Sequence, residues 1–176
     1  ALQLHAHGAG LLFQLGDVYG RELKKWDRAV EIWQKCLARG STKPEEVYEL
    51  HMLISQGYQE QGQYQLAREQ YKKAVDSATD MESKAKAMYQ LAQVNGYMGD
   101  LAQTKKWLEE IINMNDADQE MQAVAAYNLA DIYEQEGNLE RAEELLLSII
   151  DTHPNPRAVQ IRLDFLEKEK QNRGNG

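Results

Sequence analysis

The sequence predicts an all-α protein, a stack of about four helix hairpins followed by one closing helix, and three observations carry that expectation. Ala, Leu, Glu, Gln and Lys dominate its 176 residues, and all five favour helix over strand. Only three prolines occur, Pro44, Pro154 and Pro156, so long helices meet few breaks. The third observation is a phrase written more than once. Gly62-Gln63-Tyr64-Gln65-Leu66-Ala67, continued by Tyr71 and Ala74, returns as Gly137-Asn138-Leu139-Glu140-Arg141-Ala142, continued by Leu146 and Ile149. With 43% hydrophobic and 27% charged residues, the chain can bury a core and is not of the disordered class.

Aligned on that phrase, four units appear. Each carries a large apolar residue beside a small one: Leu15-Gly16, Ile54-Ser55, Leu91-Ala92 and Leu129-Ala130, the small residues lying 39, 37 and 38 positions apart. Three residues later stand Tyr19, Tyr58, Asn95 and Tyr133, and then the turn glycines Gly62, Gly99 and Gly137. Beyond each glycine come Tyr64, Leu101 and Leu139, then Ala67, Thr104 and Ala142, then Tyr71, Leu108 and Leu146, then Ala74, Ile111 and Ile149. In the first unit an extra residue enters the turn, and Trp26, Ala29, Trp33 and Cys36 fill the later places. Apolar residues spaced by three and four mark one face of a helix. A small residue lets two antiparallel helices approach, a bulky one opposite fills the space, and glycine ends the first helix in a left-handed conformation. Such a hairpin cannot bury its apolar face alone, so the units must stack.

The remaining elements come in order along the chain. Pro44 before Glu45-Glu46 suits a first helical turn. Asp80, and then Asp116 or Asp118, can cap the next two first helices. After His153-Pro154-Asn155-Pro156 a last helix is expected from about Arg157 to Gln171, with Val159, Ile161, Leu163, Phe165 and Leu166 as a looser apolar stripe that covers the last hairpin, and with 172–176 frayed. The expected organisation is one array over 1–176, with repeats at about 9–43, 44–80, 81–116 and 117–155 and a capping helix at about 156–171.

On these residues the units resemble tetratricopeptide (TPR) repeats. Leu15-Gly16-x-x-Tyr19 and Ala67-x-x-x-Tyr71-x-x-Ala74 match the family pattern, and the resemblance spans about 9–154. The family period is 34, so the repeats here are lengthened by three to five residues, about one helical turn added to each first helix. Lengthened repeats of this kind resemble those of bacterial envelope, secretion and polysaccharide-export scaffolds. The resemblance implies an α-solenoid whose first helices line a concave groove that holds a partner peptide or protein.

Charge and chemistry narrow the function classes. The net charge is −8, which disfavours nucleic acid. It is uneven: Arg21 to Lys43 holds seven basic and three acidic residues, and Glu109 to Asp151 twelve acidic residues with Arg141 alone basic. This pattern reads either as solvated helix faces or as a field that steers a basic partner. No apolar run approaches a membrane span, so no direct membrane insertion is expected. Ala1-Leu2-Gln3-Leu4 shows neither an initiator Met nor a signal pattern, and a trimmed chain is expected. The residues leave bacterial periplasm and cytoplasm both open. Cys36 is the only cysteine, at a place equivalent to Ala74, which fits a small core residue. His5, His7, His51 and His153 have no partners at metal-ligand spacing. Acid pairs such as Glu109-Glu110 and Glu143-Glu144 point to different sides of a helix. No enzyme, metal site or cofactor is therefore expected.

The residues expected to bind a partner are those that the resemblance places in the groove. Two residues before each large-small pair's large member stand Phe13, Met52, Tyr89 and Tyr127, and one residue after the pair stand Asp17, Gln56, Gln93 and Asp131. Aromatic and Met side chains make adaptable contacts, and amides bond peptide backbone. The carboxylate clamp of co-chaperone TPR domains is not matched: Tyr89, Gln93 and Asn128, or one unit earlier Met52, Gln56 and Gln90, stand at its positions. The expected function is a binding scaffold or adaptor. The alternatives are a structural segment of a longer repeat array whose ends pack on further repeats, and a regulator or sensor of an enzyme.

Overall fold

A computed structural model describes residues 2–40 and 43–174, with side chains from 10 to 172. The side chains of His5 and His7, and the last two residues of the frayed end expected over 172–176, lie outside the described part. Among the described residues there are nine α-helices and no strand. They are α1 (Leu2–Asp17, continued by a π-helical turn, Val18–Glu22), α2 (Trp26–Ala38), α3 (Pro44–Glu60), α4 (Tyr64–Ser77), α5 (Met81–Tyr97), α6 (Leu101–Ile112), α7 (Gln119–Gln135), α8 (Leu139–Ile149) and α9 (Pro156–Gly174). Backbone contacts divide the chain into two compact units, Ala1–Gly99 with α1 to α5 and Asp100–Gly176 with α6 to α9.

The added length of the repeats lies in the first helices. Of these, α3, α5 and α7 have 17 residues each, against 13, 14, 12 and 11 for the second helices α2, α4, α6 and α8. Pro44 occupies the first turn of α3 with Glu45 and Glu46, and Asp80 caps α5 by accepting the Ser83 N–H at 2.7 Å. Of the two candidates for α7, Asp118 holds the cap position, but its side chain makes no capping bond. After the first helices, Gly62, Gly99 and Gly137 take φ of 70°, 74° and 80°, a conformation that costs glycine little. The first unit differs. Its extra residue is absorbed by the π turn, where Leu23 N–H donates to Val18 O at 3.0 Å, and Lys24 (φ 54°) takes the left-handed place.

In the N-terminal unit, Trp33 is fully buried in a cluster with Ala29, Val30 and Cys36 of α2 and Leu50, Leu53 and Ile54 of α3. The small residues are there for close approach. A Cβ on Gly16 would lie 2.3 Å from Trp33 Nε1, and one on Gly57 would lie 2.4 Å from Val30 Cγ2. Cys36 is a buried thiol, and burial raises its pKa against the lowering effect of Arg39, so it behaves as a small apolar residue. His51 is buried with its Nδ1 2.9 Å from Gln70 Oε1.

In the C-terminal unit, Ala123, Ala126 and Ala130 of α7 pack on Leu139, Ala142, Leu146 and Ile149 of α8, and Val159, Leu163 and Leu166 of α9 close the cluster. The apolar stripe expected on α9 needs correction. Ile161 and Phe165 are 61% and 55% exposed, because residues two steps from Val159 and Leu163 fall on the other side of a helix. In the register of α7, the positions of Ala123, Ala126, Ala130 and Tyr133 are taken on α9 by Arg157, Gln160, Asp164 and Glu167, all exposed. On the side where α7 packs on α8, α9 is therefore polar.

Gly57→Ala tests how tight the first junction is. Its methyl group must displace Val30, and a loss of about 1–3 kcal/mol is expected from overpacking. In urea unfolding, a Gly57→Ala protein as stable as the parent would show that α2 and α3 have slack.

Candidate partner-binding surface

The first helices and α9 share one register, and it defines their faces. On α3 (Leu50, Ile54, Gly57), α5 (Ala87, Leu91, Val94), α7 (Ala125, Leu129, Ile132) and α9 (Val159, Leu163, Leu166) three residues spaced by four and three are all buried. On α3 and α9 this set packs on the preceding second helix, α2 and α8, and α5 and α7, which carry the same register, pack on α4 and α6 in the same order. The candidate binding residues lie two positions after the first two members of each set, which turns them away from that junction.

In the N-terminal unit these are Phe13 and Asp17 on α1, Met52 and Gln56 on α3, and Tyr89 and Gln93 on α5. Gln56 is exposed and the other five are half-buried. Phe13 also leans on the Trp33 cluster. Asp17 Oδ1 is buried without a hydrogen bond. One turn before Met52, Tyr48 OH donates to Ser83 O at 3.0 Å and ties α3 to α5. The unit thus repeats a half-open pair of one large and one polar side chain on successive first helices.

In the C-terminal unit the corresponding pair, Tyr127 and Asp131, is already engaged. Arg162 of α9 lays its guanidinium 4.9 Å from the Tyr127 ring centroid. Its Nη2 pairs with Asp131, and it grips Glu134 through Nε at 2.7 Å and Nη2 at 3.0 Å. Arg162 and Glu134 have side chains only 14% and 16% exposed. Burial works against the Arg162 charge, but Glu134, Tyr127 and Asp131 outweigh it and hold its pKa above the ordinary value. The His153 ring lies tilted against Tyr127, with 4.8 Å between centroids. An aromatic face with two carboxylates is a receptor for a planar cation, and here the chain supplies the cation itself. Sequence reasoning missed Arg162, Glu134 and His153. Nothing in the spacing signalled them, because Arg162 pairs with residues 28 and 31 positions away.

Elsewhere several charged groups form ion pairs at the surface. Glu143 binds Lys170 at 2.5 Å, Glu144 binds Arg141 at 2.7 Å and Lys105 binds Glu136 at 2.6 Å. Among the described residues no group of three or more His, Cys, Asp or Glu could hold a metal, and no helix is long and apolar enough to cross a membrane.

The model of the SusR N-terminal TPR domain matches residues 45–152, and a tetratricopeptide repeat model matches residues 11–39. The chain belongs to the tetratricopeptide repeat family. Its fold is that of solved TPR-like structures. The nearly identical TPR-like repeats of a Podosopora anserina kinesin-light-chain candidate are 20% identical, with a TM-score of 0.69 over 93% of this chain and 87% of that one. MamA from Desulfovibrio magneticus RS-1 is 18% identical, with a TM-score of 0.69 over 95% and 88%. Apo RapI is 14% identical, with a TM-score of 0.76, and 94% of this chain covers 65% of that one. Curated proteins give no match.

Removing the internal cation checks the C-terminal arrangement. Arg162→Ala leaves Glu134 half-buried without its partner and is expected to cost about 1–3 kcal/mol. Arg162→Lys should recover only part of it, since an ammonium cannot bridge two carboxylates and stack on a ring in the same way. Equal melting temperatures for all three proteins would reduce the cluster to a surface ion pair.

Proposed function

We propose that this TPR chain is a non-enzymatic scaffold that holds a segment of a partner protein against its first helices. Phe13, Asp17, Met52, Gln56, Tyr89 and Gln93 are the contacts in the N-terminal unit, with Tyr127 and Asp131 contributing in the C-terminal unit once Arg162 yields. The observation that carries this reading is the repeated half-open pair, large and polar, on α1, α3 and α5. Large side chains that keep part of their surface open can anchor a partner. The acidic stretch from Glu109 to Asp151 supports a partner of basic character. The setting favoured by the lengthened first helices is a bacterial envelope, secretion or polysaccharide-export assembly. A second reading, a segment of a longer repeat array, is supported by the exposure of Leu11, Leu15 and Val18 on the outer face of α1.

Quantitative pull-down from native extract, with the parent and a Met52→Ala, Tyr89→Ala double variant, separates scaffold from spacer. Half-buried truncations should cost less than about 2 kcal/mol of stability each, against about 3–5 for a large core side chain. Each anchor lost should weaken binding by more than about 1 kcal/mol. A variant that folds and captures the same partner equally well would remove these residues from the interface.

With the partner in hand, its association rate should fall several-fold as salt rises, since exposed charges are screened beyond ~8 Å at physiological ionic strength. A rate that does not change with salt would leave the acidic stretch as a solvated surface.

A further inference from the structure

Phe13 and Asp17 of α1 repeat, in the N-terminal unit, the aromatic and acidic pair that Tyr127 and Asp131 form on α7. Both are half-buried, and a spacing of four sets them on one face of the helix. The two pairs differ in what meets them. In the shared register Ile54 matches Leu163, so the residue at the place of Arg162 is Leu53 on α3. Leu53 is buried in the Trp33 cluster on which Phe13 leans, and it brings no charge. Asp17 Oδ1 is accordingly buried without a hydrogen bond. The carboxylate also makes no capping bond to the π turn that it precedes. Arg21, Lys24 and Lys25 follow it, beside Glu22 and Asp27, but all five are exposed, and among the described residues no ion pair joins one of the three cations to Asp17. A carboxylate so placed lacks part of the hydration that water would give it, and it gains from a charge-assisted bond brought from outside.

We propose that Phe13 and Asp17 seat an arginine side chain of the bound partner, an inference that rests on the first helices being the binding surface. The chain itself supplies the precedent. At Tyr127 and Asp131 an aromatic ring and a carboxylate stand at the same two places with a guanidinium in reach, and the guanidinium lies over the ring and pairs with the acid. Arginine suits the seat better than lysine. Its plane stacks on Phe13 while its edge donates to Asp17, and its weaker hydration makes it easier to bring against an apolar neighbour. The other first helices of this unit offer no such seat, because the places of Asp17 on α3 and α5 are taken by the amides Gln56 and Gln93, which bond peptide backbone. The arginine is thereby placed at the α1 end of the partner segment. Its seat is weaker than the notch on α7, since Glu134, the second carboxylate there, has Gly20 in its place.

Titration of the full chain with Nα-acetyl-arginine methylamide, followed through the backbone amide resonances of α1, tests this. A ligand of this size binds in about the millimolar range. Residues 13–17 should shift and saturate, the lysine analogue should bind several-fold more weakly, and the neutral citrulline analogue should leave them in place. Asp17→Asn should abolish the shifts. Having no internal partner to lose, it should melt at or above the parent, whereas Asp131→Asn, which loses Arg162, should melt lower. Phe13→Leu, a second variant, keeps an apolar side chain against the Trp33 cluster and should weaken the arginine derivative several-fold. Absence of a saturable shift at residues 13–17 overturns the proposal, and so does equal affinity for the lysine analogue, the mark of a plain charge site. An Asp17→Asn protein that melts well below the parent overturns it in favour of an internal pair, with Arg21→Ala showing whether Arg21 is the partner. Partner capture separates the seat from the wider surface. If the Met52→Ala, Tyr89→Ala variant loses the partner and Asp17→Asn does not, the arginine seat alone falls. If the arginine derivative binds at Asp17 but neither variant loses the partner, the guanidinium seat is upheld and only the partner surface falls.

Discussion

Val30 and Trp33 of α2 stand so close to α3 that a single carbon added at Gly57 would come within 2.4 Å of one and 3.5 Å of the other. The same kind of contact, a second helix pressed on the next first helix, recurs at α4 with α5, α6 with α7 and α8 with α9. Everything else depends on it. It buries three residues of each such first helix, and each Leu, Ile or Val so buried contributes about 1.5–3 kcal/mol. By setting which side of the helix goes inward, it also sets which side is left for other uses. A helix has one angular register, and once Leu50, Ile54 and Gly57 face α2, Met52 and Gln56 have to face elsewhere.

The C-terminal unit shows what happens to that other side when a further first-type helix arrives. Tyr127, Asp131 and Glu134 form an acidic, aromatic notch, and Arg162 fills it. Leaving Glu134 shielded without a cation would be costly, whereas a cation with two carboxylates and a ring is well satisfied. The equivalents of Asp131 on α3 and α5 are the neutral amides Gln56 and Gln93, which need no counter-charge. Beside Met52 and Tyr89 there is thus no carboxylate at this place for an internal cation to pair with, whereas Asp131 beside Tyr127 is held by Arg162. A solved TPR-like fold at 14–20% identity speaks to the helix arrangement and leaves this distribution of charge as a property of the chain itself.

The hairpins, their glycine turns, the Pro44 start, the Asp80 cap and the core roles of Trp33 and Cys36 were legible from spacing, because each is a local preference written into a few neighbouring residues. The π turn was visible only as one residue too many, since nothing local says how a helix will absorb an insertion. Ile161 and Phe165 show another limit. Five apolar residues within eight positions do not all fit one face, and only contact with α8 decided that Val159, Leu163 and Leu166 go inward.

The candidate site divides along the same line. From the sequence alone came the all-α hairpin repeat, its length, and the recurrence of Phe13, Met52, Tyr89 and Tyr127 with their polar companions, because periodicity survives in one dimension. Only the tertiary structure decided how open each pair is. It also decided that Arg162, 31 residues from Asp131, closes one of them. Ion pairing over that separation depends on where two helices are brought in space, and no local preference of either segment encodes it.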